Sequence, residues 1–166
     1  MTPARTPSTV WLLAGLTGSG KTTFAKTLES RGVVRLSVDE LVFARHGRYG
    51  VDYPEPDYPA KEAPVLAEVC RRMVELAASG HDVVLDHGLW RRADRDAAKA
   101  MVQAAGARWR LVYFDVDRTE LARRLTERNR RADANALTVT ESALDDFIAR
   151  FEPLHGEGEE PPPPIA

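Results

Sequence analysis

The stretch WLLAGLTGSGKTT, Trp11 to Thr23, sets Gly15, Gly20, Lys21 and Thr22 in the spacing G-x-x-x-x-G-K-[ST]. It follows the apolar run Val10 to Ala14 and precedes a helical pattern, the strand, loop and helix setting in which a phosphate-binding loop works. That setting constrains the fold more than the letters do. Backbone N–H groups wrap around phosphate oxygens only where no Cβ crowds the turn, so Gly15, Gly18 and Gly20 are expected at the tight, positive-φ positions. Lys21 supplies a mobile cation for the β- and γ-phosphates, Thr22 a hydroxyl for Mg²⁺, and the helix N-terminus near Gly20 adds partial positive charge. A Gly-rich turn is the ordinary alternative, yet four fixed positions match by chance in roughly 1% of chains this long at average residue usage. Gly15, Leu16, Thr17, Gly18, Ser19, Gly20, Lys21, Thr22 and Thr23 are therefore expected to cradle ATP with its Mg²⁺.

The 166 residues fit one domain with a core of its own, and 23 Lys plus Arg against 25 Asp plus Glu leave no global basic field of the kind a nucleic-acid binder shows. The single Cys70 lies in a helical pattern and reads as a small buried hydrophobe. No apolar run reaches the ~18 residues of a membrane span and Met1 to Thr9 has no signal-peptide core, which predicts a soluble, cytoplasmic protein.

Along the chain, residues 1–8 read as a loose arm, 9–154 as the domain, and 155–166 (HGEGEEPPPPIA) as a disordered tail without core-forming residues. Thr9 to Ala14 is a strand buried on both faces. A helix with Phe24, Ala25 and Leu28 inward ends at Gly32, and Val33 to Val38 is the second strand. Strand, helix, strand is the unit of a parallel sheet, here a three-layer α/β/α sandwich of four to five strands. Asp39 falls at the C-terminal end of the second strand, where it either faces the crevice with the phosphate loop or caps the next helix.

Residues 46–62 contain three Tyr and three Pro without a regular period. Irregular stretches of that length tend to be lids or binding loops, so Tyr49, Tyr53 and Tyr58 either stack on a substrate or stiffen the loop. A helix over Ala60 to Ser79 leads to a third strand, Asp82 to Leu85. Asp86 ends it as a candidate ligand of Mg²⁺ or water, with a capping role as the alternative; His87 receives no role. Arg91, Arg92 and Arg95 open the next helix, either as an anion-binding rim or without function. After a strand over Trp109 to Val116, Asp117 and Glu120 form a capping pair for an arginine-rich helix, and a second pair, Thr138 and Glu141, opens the last one. Arg128, Arg130 and Arg131 end the arginine-rich helix, where planar guanidinium groups can close over a triphosphate.

Loop, Asp39, Asp86 and arginine-rich helix, in that order, resemble the P-loop kinases related to polynucleotide 5′-hydroxyl kinase, zeta toxin and the small kinases of the AAA_33 type, over roughly residues 9–153. The resemblance implies ATP-dependent phosphorylation of a hydroxyl. It assigns Asp39 as the base, Thr22 and Asp86 to Mg²⁺, and Lys21, Arg128 and Arg131 to the transferring phosphoryl, with Arg128 and Asn129 in an R-N-x-x-R-like lid. Two departures stand out. Where polynucleotide kinase has an arginine one turn beyond the base, this chain has Val42, with Arg45 a turn later, which favours a small-molecule acceptor over a nucleic-acid 5′-hydroxyl. No fifth strand is evident before the proline run. An ATP-driven switch without transfer is the competing class.

Overall fold

Alternation along the first strand decides which layer each side chain joins. The computed structural model of the chain describes residues 3–130 and 139–164. In β1 (Thr9–Ala14), Val10, Leu12 and Ala14 point to one face of the sheet while Trp11 and Leu13 point to the other. The first face packs on α2 (Val38–His46), α3 (Tyr58–Ala78) and α4 (Arg92–Ala104) through Val42, Val69, Met73 and Val102; the second packs on α1 (Lys21–Glu29) through Phe24 and Leu28. Each such side chain, fully buried, contributes roughly 1.5–3 kcal/mol.

The remaining strands are β2 (Val34–Ser37), β3 (Val83–Asp86), β4 (Arg108–Tyr113) and β5 (Glu159–Glu160). All pair in parallel in the order β2-β3-β1-β4-β5. The expected three-layer α/β sandwich is thus present. Its central strand β1 lies between β3 and β4, so the crevice opens where Ala14, Ser37 and Asp86 end their strands.

The C-terminal segment departs from the expected disorder. Glu159 and Glu160 pair with Leu111 and Val112 as the fifth strand, and Glu157 lies buried against the fully buried Arg95, whose Nε and Nη2 donate to its carboxylate at 2.8 and 3.0 Å. Arg95 is therefore a structural ion pair and no anion-binding rim. A polar, Gly-rich segment lacks hydrophobic periodicity, and its ordering comes from two backbone pairings and from cations that meet it, Arg95 at Glu157, Arg110 at Glu160 and Lys99 at the Glu157 carbonyl. The N-terminal arm is likewise pinned at its end, where Ser8 donates to the Ala77 carbonyl at 2.7 Å.

Boundaries shift elsewhere. α3 begins at Tyr58, after a 3-10 turn over Glu55–Asp57, with Pro59 in its first turn, so the irregular stretch is shorter than expected and Tyr58 belongs to a helix. α5 (Arg118–Arg130) opens on Asp117, which accepts from Glu120 N at 2.9 Å. The last helix, α6 (Glu141–Arg150), is capped by Thr140, which accepts from Ala143 N; the expected Thr138 lies outside the described residues. Leu121 and Leu125 of α5 and Leu144 of α6 pack on Leu16, tying both helices to the phosphate loop.

Candidate active site

Gly18 and Gly20 have φ of 84° and 103°, as a cradle of inward N–H groups requires. Gly15 does not; its constraint is contact, because a Cβ there would meet Ser19 Oγ at 2.7 Å and Phe114 Cβ at 3.0 Å. Gly88 is held in the same way: a Cβ would come within 2.8 Å of the Gly15 carbonyl oxygen, so the chain after β3 lies directly on the loop.

Lys21 folds over the loop, donating to the Gly15 and Leu16 carbonyls at 2.9 and 2.8 Å. Burial, opposed by the charges of Asp39 and Asp86, lowers its ammonium from 10.5 to about 8. A triphosphate bound in the loop would place anionic oxygens at that nitrogen and raise the value again, so binding is expected to be linked to proton uptake. The sign follows: affinity is full where free Lys21 is protonated and falls as pH rises through 8. Between pH 7.5 and 9.5 the dissociation constant of an ATP analogue is expected to rise roughly twenty-fold. Calorimetry should show this for the wild type and a flat profile for Lys21→Met; a flat wild-type profile refutes it.

Asp86 is the most constrained acid. It is 5% exposed, and its Oδ2 accepts from Arg35 Nε and Nη2 at 3.0 and 2.8 Å while Oδ1 accepts from the Thr22 hydroxyl at 3.3 Å. Asp86 therefore caps nothing. The adjacent hydroxyl and carboxylate are hard oxygen donors of the kind Mg²⁺ takes, and the residues fit that ion. Arg35, whose Nη1 and shared Nη2 also donate to Glu40 at 3.0 and 2.9 Å, is a partner that sequence reasoning missed. An arginine inside an otherwise apolar strand was the available signal.

Asp39 is not the cap of α2 either. Ser37 fills that position, accepting from Glu40 N at 3.2 Å, and Asp39 is exposed toward the crevice, where Tyr58 donates to its Oδ1 at 2.9 Å. Glu62 and His87 join it, with ligand atoms of all three within 4.8 Å of one another. Neither was assigned a role from sequence; a helix start at Tyr58 would have put Glu62 one turn on, on the same face. The charge of Asp39 also reaches Lys21. Base candidate and loop lysine thus share one crevice. Tyr49 packs edge-on against Tyr58, with ring centroids 5.4 Å apart.

The arginines are distributed differently from the expectation. Arg124 reaches the loop, donating from Nη1 to the Gly18 carbonyl at 3.2 Å and from Nε to Glu120 at 2.9 Å. Arg128 is exposed in the last turn of α5. Asn129 donates to the Val139 carbonyl at 3.1 Å, and Arg131 lies outside the described residues. Val42, the position of the absent arginine, is 1% exposed in the core, and Arg45 pairs with Glu68 across α2 and α3.

Residues 10–154 match the model of AAA_33, an AAA domain family. The chain belongs to this family. A comparison with curated protein sequences finds no match. Among solved structures, this AAA_33 chain is similar to a gluconokinase from Sinorhizobium meliloti 1021, at TM-score 0.60 and 21% identity over 92% of this chain and 79% of that one. A chain of the Pnkp1/Rnl/Hen1 RNA repair complex gives TM-score 0.71 at 19% identity over 90% of this chain, which spans only 45% of that one. The Mycobacterium tuberculosis APS kinase CysC, in complex with AMPPNP and APS, gives TM-score 0.53 at 20% identity, covering 86% and 97%. The AAA_33 chain therefore has the fold of P-loop kinases. No helix among the described residues is long and apolar enough to cross a membrane.

Proposed function

We propose that the chain is an ATP-dependent phosphotransferase that moves the γ-phosphoryl of ATP to a hydroxyl of a small molecule. The observation that carries this reading is the placement of Asp39, held by Tyr58 in the crevice that contains Lys21. The Asp39 carboxylate takes the proton of the acceptor hydroxyl as its oxygen bonds to the γ-phosphorus and the bond to the β-phosphate oxygen breaks, leaving ADP and a phosphate ester. The loop N–H groups and Lys21 orient the triphosphate, and Arg124, with Arg128 in the last turn of α5 and with Arg131, which lies outside the described residues, meets charge on the transferring group. Mg²⁺, held by Thr22 and Asp86, supplies charge neutralisation when bound.

Small molecules are favoured over a polynucleotide 5′-hydroxyl because Val42 is buried and Arg45 is engaged by Glu68. Transfer of labelled phosphate from ATP to a panel of hydroxyl compounds and a 5′-hydroxyl oligonucleotide tests both. The expected result is a phosphorylated small molecule, little hydrolysis of ATP without acceptor, and no labelled oligonucleotide. Fast acceptor-free ATP hydrolysis supports a switch instead.

A further inference from the structure

The acceptor side of the crevice carries more negative charge than taking one proton requires. Asp39 on α2, Glu62 on α3 and His87 after β3 converge within 4.8 Å from three separate elements. Tyr58, one turn before Glu62, donates its hydroxyl hydrogen bond to Asp39; its own titration is pushed far up by burial and then by the charges of Asp39 and Glu62, so both acids face it. One phenol proton does not satisfy two carboxylates. Among the described residues neither acid forms an ion pair. The neighbouring guanidinium groups are committed, Arg35 to Asp86 and Glu40 and Arg45 to Glu68, while Lys61 lies over the Tyr53 ring at 5.4 Å.

An acceptor carrying phosphate, sulfate or carboxylate beside its hydroxyl meets like charge there, whereas a cation is attracted. We propose that Glu62 is a specificity-determining residue and that the acceptor bears a protonated amine adjacent to the reacting hydroxyl, as in an amino alcohol or amino sugar. This rests on the phosphotransferase reading above. The spacing suits a vicinal pair: with hydrogen bonds of about 2.9 Å at each end, an ammonium on Glu62 and a hydroxyl on Asp39 bridge acids this close.

The test compares matched acceptors with wild-type protein and Glu62→Gln. The probes are glucosamine against N-acetylglucosamine and glucose, and 2-amino-1,3-propanediol against glycerol, with gluconate and glucose 6-phosphate as anionic members. The wild type is expected to prefer the amines by about tenfold or more in kcat/KM, and Glu62→Gln to remove that preference through KM, leaving kcat within about twofold. Glu62→Asp should recover part of it. Equal or better use of neutral or anionic acceptors by the wild type, or a preference that survives in Glu62→Gln, overturns the inference and leaves the phosphotransferase reading standing. ATP binding without transfer to any hydroxyl compound removes both.

Discussion

Asp39→Asn is expected to lower kcat for phosphoryl transfer by about 10²–10⁴ while changing ATP affinity no more than a few-fold, the range that general-base catalysis contributes. The amide keeps the shape of the carboxylate and an oxygen to accept from Tyr58, so the fold and the position of α3 should survive. What it removes is the ability to take a proton. Steady-state kinetics with an acceptor from the panel, set beside calorimetric ATP binding, separate the two effects. Tyr58→Phe leaves the base in place but frees its carboxylate, and should raise KM for the acceptor more than it lowers kcat. Full activity in Asp39→Asn would move the base elsewhere or dispense with it.

Glu157→Gln should be the most destabilising conservative change in the chain. Arg95 is fully buried, and its guanidinium donates to both Glu157 oxygens and, from Nη1, to the Leu89 carbonyl at 2.8 Å. Removing one partner of such a pair leaves an uncompensated buried charge, at a cost of about 3–5 kcal/mol. For a domain of this size that lowers Tm by roughly 6–20 °C. The double change Arg95→Met, Glu157→Leu should recover most of the loss, since apolar packing replaces buried pairs well. Thermal unfolding followed by circular dichroism reads both; a Glu157→Gln variant melting within a degree or two of wild type refutes the assignment. The pair also sets an acid limit. Hydrogen bonding from Arg95 holds the Glu157 carboxyl below its ordinary 4.5, so its stabilisation is present above that value and is lost as pH falls through the lowered one.

What the sequence made legible was whatever local geometry dictates. The phosphate loop and the parallel sheet follow from the strand, glycine and helix pattern, because a buried strand cannot avoid an apolar run and a cradle cannot tolerate side chains; the same pattern leaves Asp39 between crevice and helix cap, and it is Ser37 filling the cap that decides. The missed features depend on partners distant in sequence. Arg35 meets Asp86 across 51 positions and Arg95 meets Glu157 across 62, and neither pairing leaves a periodic trace. Glu62 was hidden by a boundary: the helix reads as starting at Ala60, and only when Pro59 is recognised as a first-turn residue does Tyr58 join it and set Glu62 one turn on, on the same face. The arginine-rich helix misled in another way. Five arginines share α5, and the packing of Leu121 and Leu125 on Leu16, with the Arg124 contact to Gly18, shows that Arg124 is the one facing the loop.

Strand β5 and the counter-ion of Arg95 come from residues 157–160, whereas the helix and strand they complete are made some fifty or more positions earlier. As the chain leaves the ribosome, the phosphate loop and its flanking layers can assemble first, but one cation in the interior waits without a mate and one sheet edge stays open until that segment emerges. Folding during translation therefore finishes late, and a ribosome-stalled chain halted before Glu157 should remain protease-sensitive although it already carries every residue assigned here to the chemistry.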